Sequence, residues 1–407
     1  VSWSESENVR FKVEIPGHGL ASPIVWKDRV FILTAVPDDE EAFEASQQEI
    51  EQQGERNPRA RRGPPPGVKP VEVRFVVLAL SRSDGRILWE RTATKGTPGE
   101  GHHLHASWAS ASPVTDGKRL IAHFGSNGTF AYGLDGKLLW KTDLGEMTTR
   151  RGFGEGSSPA LHDDIVVINW DHEGDSFIVA LDAGTGKEIW KKKRSGEPTS
   201  WSTPLVVSRG ERVQVVIPAT GKSRGYDLET GEVVWSVGGM TTNTIPTPVH
   251  RDGVVYLMSG FRGNALQAIS LAGATGNLEG SDALLWTYDK NTPYVPSPLL
   301  YDDSLYFLKH LKSILSNLDA DSGEVRYTEQ RLPGMHNVYA SPVGAAGRVY
   351  IFDRDGHAVV LKHGKQFEVL AENTLGDGVD ASPAIVGDEI FVRGHGHLYC
   401  IAKRGGK

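Results

Sequence analysis

The sequence predicts an all-β fold: an eight-bladed β-propeller of four-stranded antiparallel blades, closed by pairing the N-terminal strand with the C-terminal blade. Three observations predict it. A Ser/Thr-Pro element recurs at Pro23, Pro113, Pro159, Pro204, Pro248, Pro298, Pro342 and Pro383, at spacings of 90, 46, 45, 44, 50, 44 and 41 residues. Each copy is followed by short β-rich runs punctuated by Gly, Asp and Asn, and most end on a large aromatic. The last copy stops one strand short, and a strand-like run near the N-terminus has no blade of its own.

The fourth copy shows the parsing. Pro204 to Val207 form the first strand, Val213 to Ile217 the second, the run around Gly225 to Leu228 the third, and Glu232 to Trp235 the fourth. Such lengths and punctuation fit an antiparallel meander. The closing aromatics are Trp89, Trp140, Trp190, Trp235, Trp286 and Tyr327, with a degenerate seventh unit around Phe367. Blades diverge outward, so these rings are expected to fill the widening gap between neighbours. The eighth unit has strands around Ala384 to Val386, Glu389 to Arg393 and His397 to Ile401, and Asn8 to Val13 supplies its outer strand. That pairing removes two exposed sheet edges.

The whole chain, 1–407, therefore reads as one propeller domain, although its length alone suggests more. Its 90-residue gap holds a normal repeat plus an insertion at 37–70, between the second and third strands of blade 1. The insertion runs from Asp38-Asp39-Glu40-Glu41 through a helix-prone Glu/Gln segment to the basic stretch 56–62 and Pro64-Pro65-Pro66. It reads as a surface excursion or as a lid, since such loops share a rim with the connections entering each first strand.

No apolar run approaches the ~20 residues needed to span a bilayer. The opening Val1-Ser2-Trp3-Ser4 carries neither Met nor a signal peptide, which reads as a processed or trimmed form. One cysteine, Cys400, excludes an internal disulfide or a Cys metal cage, and its apolar setting predicts a buried thiol. A formal charge of −7 argues against nucleic acid as partner. The chain is expected to be a monomer.

Function is expected where loops converge on the channel mouth. The connections entering each first strand carry His18, then His102-His103-Leu104-His105-Ala106-Ser107-Trp108, then Arg150-Arg151-Gly152-Phe153-Gly154-Glu155. Later blades add Trp201, Asn243, Tyr294, His336-Asn337-Val338-Tyr339, Asp377 and Asp380. Loops that only turn the chain would be mainly Gly, Asn, Asp, Ser and Pro, so this ring predicts a ligand-facing mouth. The connections between second and third strands of blades 4 to 8 each carry a cation: Lys222 and Arg224, Arg262, Lys309 and Lys312, Arg354, and Arg393. Such a ring reads either as solvated surface charge or as an anion-collecting rim.

Metal readings are narrower. Asp171-His172-Glu173-Gly174-Asp175 begins like a calcium loop, but Ser176 replaces the required Gly and a strand follows, which excludes an EF-hand. An isolated cation site on Asn169, Asp171 and Glu173 remains open. His102, His103 and His105, or His395 and His397, offer imidazoles without a helical zinc motif. No phosphate-cradling Gly loop or dinucleotide fingerprint is present.

The units Leu181-Asp182-Ala183-Gly184-Thr185-Gly186-Lys187-Glu188-Ile189-Trp190 and Tyr226-Asp227-Leu228-Glu229-Thr230-Gly231-Glu232-Val233-Val234-Trp235 resemble pyrroloquinoline-quinone-like (PQQ-like) propeller repeats. The resemblance implies a periplasmic or extracellular protein. The family includes quinone-dependent dehydrogenases, the lipoprotein scaffold of the outer-membrane barrel-assembly machinery, and secreted proteins of other roles, so fold does not transfer function. The dehydrogenases clamp PQQ between a Trp and a vicinal disulfide or a His, beside calcium held by Glu, Asn and Asp. One cysteine excludes the disulfide. A His clamp would need His102 or His103 opposite Trp201 or Trp108, and no run matches the cofactor motifs residue by residue.

Four functional readings follow. The first is binding, with or without processing, of an anionic small molecule or acidic saccharide by His18, His102, His105, Trp108, Arg150, Arg151, Glu155, Trp201, Asn243, Arg262, Lys309, Asn337, Arg354, Asp380 and Arg393. The second is a scaffold with a protein partner, and the third a quinone-dependent dehydrogenase. The fourth is a polysaccharide lyase: Arg151 or Arg262 neutralises a uronate, His336 or Tyr339 takes the α-proton, and Tyr294 or His103 protonates the leaving oxygen.

Overall fold

The computed structural model describes residues 2–56, 69–210 and 212–403. Each repeat folds as one antiparallel sheet. Blade 1 comprises Ile24–Trp26, Arg29–Pro37, Val73–Ser81 and Ile87–Gly96, and blade 2 Val114–Thr115, Arg119–His123, Thr129–Gly133 and Leu138–Thr142. Blade 3 comprises Ala160–His162, Ile165–Trp170, Phe177–Asp182 and Glu188–Lys193, and blade 4 Leu205–Arg209, Arg212–Ile217, Ser223–Asp227 and Val233–Val237. Blade 5 comprises Val249–Arg251, Val254–Ser259, Ala265–Ser270 and Leu284–Tyr288, and blade 6 Leu299–Tyr301, Ser304–Leu308, Ile314–Asp319 and Val325–Arg331. Blade 7 comprises Val343–Ala345, Arg348–Phe352, His357–Lys362 and Val369–Thr374. Blade 8 joins Ala384–Val386, Glu389–Arg393 and His397–Ala402 to the N-terminal strand Val9–Glu14, as expected. Glu389 ties this closure, accepting from Arg82 Nε at 2.5 Å and from Arg10 on the N-terminal strand.

The recurrent Ser/Thr-Pro has a physical cause. The backbone N–H of Ser22 donates to Ser112 Oγ, Ser112 to Ser158 Oγ, Thr247 to Ser297 Oγ, Ser297 to Ser341 Oγ and Ser341 to Ser382 Oγ, each at 2.9 Å. Ser158 donates likewise to Thr203 Oγ1 at 3.2 Å. A hydroxyl at six of the eight first-strand entries thus stitches one blade to the next.

The closing aromatics lie between blades. Trp89, Trp140, Trp190 and Trp286 donate Nε1–H to Leu134, Ala183, Leu228 and Asp321 carbonyls in the following blade, at 2.9, 2.9, 2.8 and 3.1 Å. Above each ring sits a turn glycine of that blade with positive φ: Gly136, Gly186, Gly231 or Gly323. A Cβ there would lie 2.5 to 2.8 Å from ring atoms, so the turn needs glycine for conformation and for space. Trp235 departs from the pattern and donates to Gln214 at 2.9 Å. Its blade also carries a fifth strand, Gly276–Asn277, running parallel to Val233–Val237, which accounts for the 50-residue repeat interval. Cys400 is fully buried, which pushes its thiol up to about 12.

Within the insertion, Glu40–Arg56 form a helix between the second and third strands of blade 1. Its basic and proline-rich part, 57–68, lies outside the described residues. No helix among the described residues is long and apolar enough to cross a membrane.

Candidate functional site at the channel mouth

The loops entering the first strands of all eight blades converge on a cavity of about 480 Å³. Of the residues expected there, His103, His105, Arg150, Arg151, Glu155, Trp201, Asn243, Arg262, Tyr294, Tyr339 and Asp380 line it. Phe153, Phe261, His310 and the aliphatic side chains of Leu20, Ile245, Val295 and Leu311 complete the wall.

Aromatic contacts hold the wall in shape. Phe261 stacks on Tyr294 with centroids 4.6 Å apart, and His310 lies 5.0 Å from the same tyrosine. Across the mouth, His103 packs edge-on against Phe153 at 5.1 Å and His105 against Tyr339 at 5.8 Å. The Trp201 Nε1–H is committed to the Gly154 carbonyl at 2.7 Å, so its ring contributes surface. Four lining residues, Arg151, Asn243, Arg262 and His310, have φ between 55° and 60°, where ordinary side chains are rare. Strain of that kind concentrates where loops are shaped for a ligand.

The electrostatics are one-sided. Arg150, Arg151 and Arg262 have no carboxylate partner among the described residues, and Arg262 lies over the Phe261 ring at 5.3 Å. The carboxylate of Asp380 is already held by Arg354 Nε at 2.7 Å and His395 Nε2 at 3.0 Å. Burial opposes its charge, but those two partners outweigh it and keep the group below the usual carboxylate range. Glu155 accepts from the Ser126 N–H at 2.7 Å and Oγ–H at 2.5 Å, yet burial pushes it up to about 7. Burial and the Arg354 charge hold His105 near about 4 and lower His103, so both imidazoles are neutral at pH 7. The unbalanced charge of the mouth is that of its arginines.

Other expected residues stand elsewhere. His336 is exposed and outside the lining, its backbone N–H on Asp353 at 3.1 Å. Asn337 is exposed beside it, its carbonyl accepting from the Arg354 N–H at 3.0 Å. Arg354 sits behind the wall with its guanidinium 4.7 Å over Tyr339. Lys309 faces Glu329 at 3.4 Å and Arg224 faces Glu197 at 2.7 Å. Arg393 is buried without a hydrogen-bond partner among the described residues, and burial lowers it to about 10. Three cations of the ring, Arg224, Lys309 and Arg354, are thus spent on local pairs, and Arg262 is its contribution to the cavity. His18, His102 and Trp108 gather around Phe43 of the insertion helix.

In the trio Asn169, Asp171 and Glu173 each side chain already has a protein partner. Asp171 is gripped by Arg194 at 2.6 and 2.9 Å with both side chains fully buried. Burial works against the Arg194 charge, but Asp171 outweighs it and raises the guanidinium further. Asn169 donates to Ser200, and Glu173 accepts from Thr199 at 2.8 Å. Asp353, Asp355 and His357 bring their ligand atoms within 4.8 Å of one another, a group able to coordinate a divalent cation, outside the mouth lining.

Phe261 escaped the sequence reading because it sits in a second-to-third-strand loop, where the charged residues and histidines were weighed. Phe261 beside Arg262, in a loop otherwise of Gly and Asn, was the available signal.

Comparison with known proteins agrees with this architecture. The family model described as outer membrane protein assembly factor BamB matches residues 73–238 and 174–407. BamB of Yersinia pestis is 22% identical over 350 residues, covering 81% of this chain and 80% of that protein. The crystal structure of BamB from Moraxella catarrhalis superimposes with a TM-score of 0.59 at 14% identity, over 80% of this chain and 93% of that one. A quinohemoprotein alcohol dehydrogenase from Pseudomonas putida HK5 superimposes with a TM-score of 0.58 at 11% identity, over 100% of this chain and 80% of that one. The fold is thus shared by BamB scaffolds and quinoprotein dehydrogenases. The chain belongs to the BamB family of PQQ-like eight-bladed β-propellers.

Proposed function

We propose that this propeller binds an anionic small molecule or acidic saccharide at the channel mouth, in the periplasm or outside the cell. The observation that carries the reading is the convergence of Arg150, Arg151 and Arg262, unpaired among the described residues, on one cavity of about 480 Å³ walled by aromatic rings. Arginine forks grip carboxylates or sulfates, the low-dielectric wall strengthens that attraction, and ring faces pack against a sugar or a flat ligand. Calorimetry with oligogalacturonates, alginate oligosaccharides and naphthalene-2,6-dicarboxylate tests it. At least one is expected to bind, more weakly as salt rises. No binding across the panel refutes the reading.

Turnover has less support than binding. His336 lies outside the cavity, and burial pushes Tyr339 up to about 12, so a β-elimination lacks the base first assigned to it. The calcium–quinone pair of the dehydrogenases does not fit the donors present. Of the cavity carboxyls, Asp380 is consumed by Arg354 and Glu155 is capped by Ser126. Nearby Asp171 is neutralised by Arg194.

A second reading, a scaffold for a protein partner, draws on the resemblance to BamB over most of both chains. The outer strands add apolar side chains open to solvent, among them Leu138, Leu139, Ile189 and Val233. Capture of one envelope protein by wild-type protein, undiminished in the Arg150→Ala/Arg262→Ala variant, favours this reading over the first.

A further inference from the structure

Helix Glu40–Arg56 does not line the mouth cavity with any described residue. It is nevertheless anchored to the rim. Phe43 is 1% exposed and sits 4.4 Å from the His18 ring, 5.7 Å from Trp108 and 6.2 Å from His102. Glu40 bonds His18 Nε2 at 2.6 Å, and Val71 and Leu104 close over the phenylalanine.

Two of the residues packed on Phe43, His102 and Trp108, belong to the loop that builds one wall of the mouth. His102 stands edge-on to Trp108 at 4.6 Å and bonds the His103 carbonyl through Nδ1 at 2.8 Å. Its Nε2 has no partner among the described residues, so this ring is used as packing surface. Trp108 Nε1–H donates to the Glu100 carbonyl at 3.0 Å, fixing the far end of the loop. Between these two fixed points the His105 N–H donates to His103 Nδ1 at 3.1 Å, and the His103 N–H donates to the Phe153 carbonyl at 3.0 Å. His103, His105 and Phe153 face the cavity directly.

We propose that the insertion helix is a brace and Phe43 a positioning residue: seated among His18, His102 and Trp108, it holds the 102–108 loop so that His103 and His105 form a dry wall for the bound ligand. This rests on the mouth being a ligand site. The physical basis is preorganisation: a loop held by one buried ring does not have to be ordered when ligand arrives. The charges that face the wall, Arg354, Asp380 and His395, reach it from blades 7 and 8 and are untouched by the helix.

The test reads the wall independently of the ligand. In Phe43→Ala, with folding checked by near-UV circular dichroism, the His105 ring followed by NMR should titrate about one unit higher or more, as water reaches it. Binding of the apolar anionic probe 8-anilinonaphthalene-1-sulfonate should weaken about 5-fold. Phe43→Leu, which keeps the burial and loses the ring contacts, should lie between. Ser297→Ala, which perturbs the far side of the ring, should change neither reading. An unchanged His105 titration with unchanged probe affinity overturns the brace. A wild-type protein that binds no anionic probe overturns the reading of the mouth, while the His105 titration still decides the brace.

Discussion

Replacing Glu155 by Gln is expected to stabilise the protein at pH 8 and to change little at pH 4. The carboxyl lies so close over the Gly125–Asn127 turn that a Cβ on Gly125 would fall 1.3 Å from Oε2. Burial outweighs the two Ser126 hydrogen bonds, the Glu100 charge adds repulsion, and the group rises from the ordinary 4.5 to about 7. At pH 4 folded and unfolded chains both hold the proton, and no penalty exists. Between 4.5 and 7 the unfolded chain ionises first, so stability falls with rising pH. Above 7 the deficit is complete, and at about 1.4 kcal/mol per pH unit it amounts to about 3 kcal/mol. Gln keeps an acceptor for Ser126 and has no charge to bury. Urea denaturation of both proteins at pH 4, 5.5, 7 and 8 measures the difference. Parallel stability profiles refute the argument, since a Glu155 that ionises normally would cost nothing on replacement.

Four further outcomes follow from the same geometry. Gly231→Ala puts a Cβ 2.6 Å from Trp190 at φ +70, whereas Gly273 has nothing within 4 Å. Thermal melts should show the first losing about 1–3 kcal/mol and Gly273→Ala close to neutral. Ser297→Ala leaves the Thr247 N–H without its acceptor and should cost about 1 kcal/mol in denaturant midpoint. Asp171→Asn strands the fully buried Arg194 and should cost about 3–5 kcal/mol, with partial recovery in Asp171→Asn/Arg194→Met. Arg150→Ala should weaken a carboxylate ligand by about 10-fold or more in calorimetry, with a shallower salt dependence than wild type.

The fold was legible because its signals are local and repeated. Each Ser/Thr-Pro marks a first strand, and Trp89, Trp140, Trp190 and Trp286 each answer a turn glycine of the following blade, as Trp190 and Gly231 do. The mouth was legible where a loop departs from turn chemistry, as in His103 to Trp108 and Arg150 to Glu155. Pairing between loops was not. Arg224 meets Glu197, Lys309 meets Glu329 and Arg354 meets Asp380 only after folding, so three cations of the ring in the sequence became local ion pairs. The same holds for Asp171, whose partner Arg194 lies 23 residues away on the outer strand's end. The parallel strand Gly276–Asn277 left only an irregular spacing as its trace.

The proposed anion site rests on Arg150, Arg151 and Arg262. Its most direct test is calorimetric titration of wild-type protein and the Arg150→Ala/Arg262→Ala variant with the anion panel at low salt. Saturable binding to wild type, abolished or weakened about 100-fold or more in a variant of unchanged stability, is the predicted result. Equal binding by both proteins, or none by either, contradicts it.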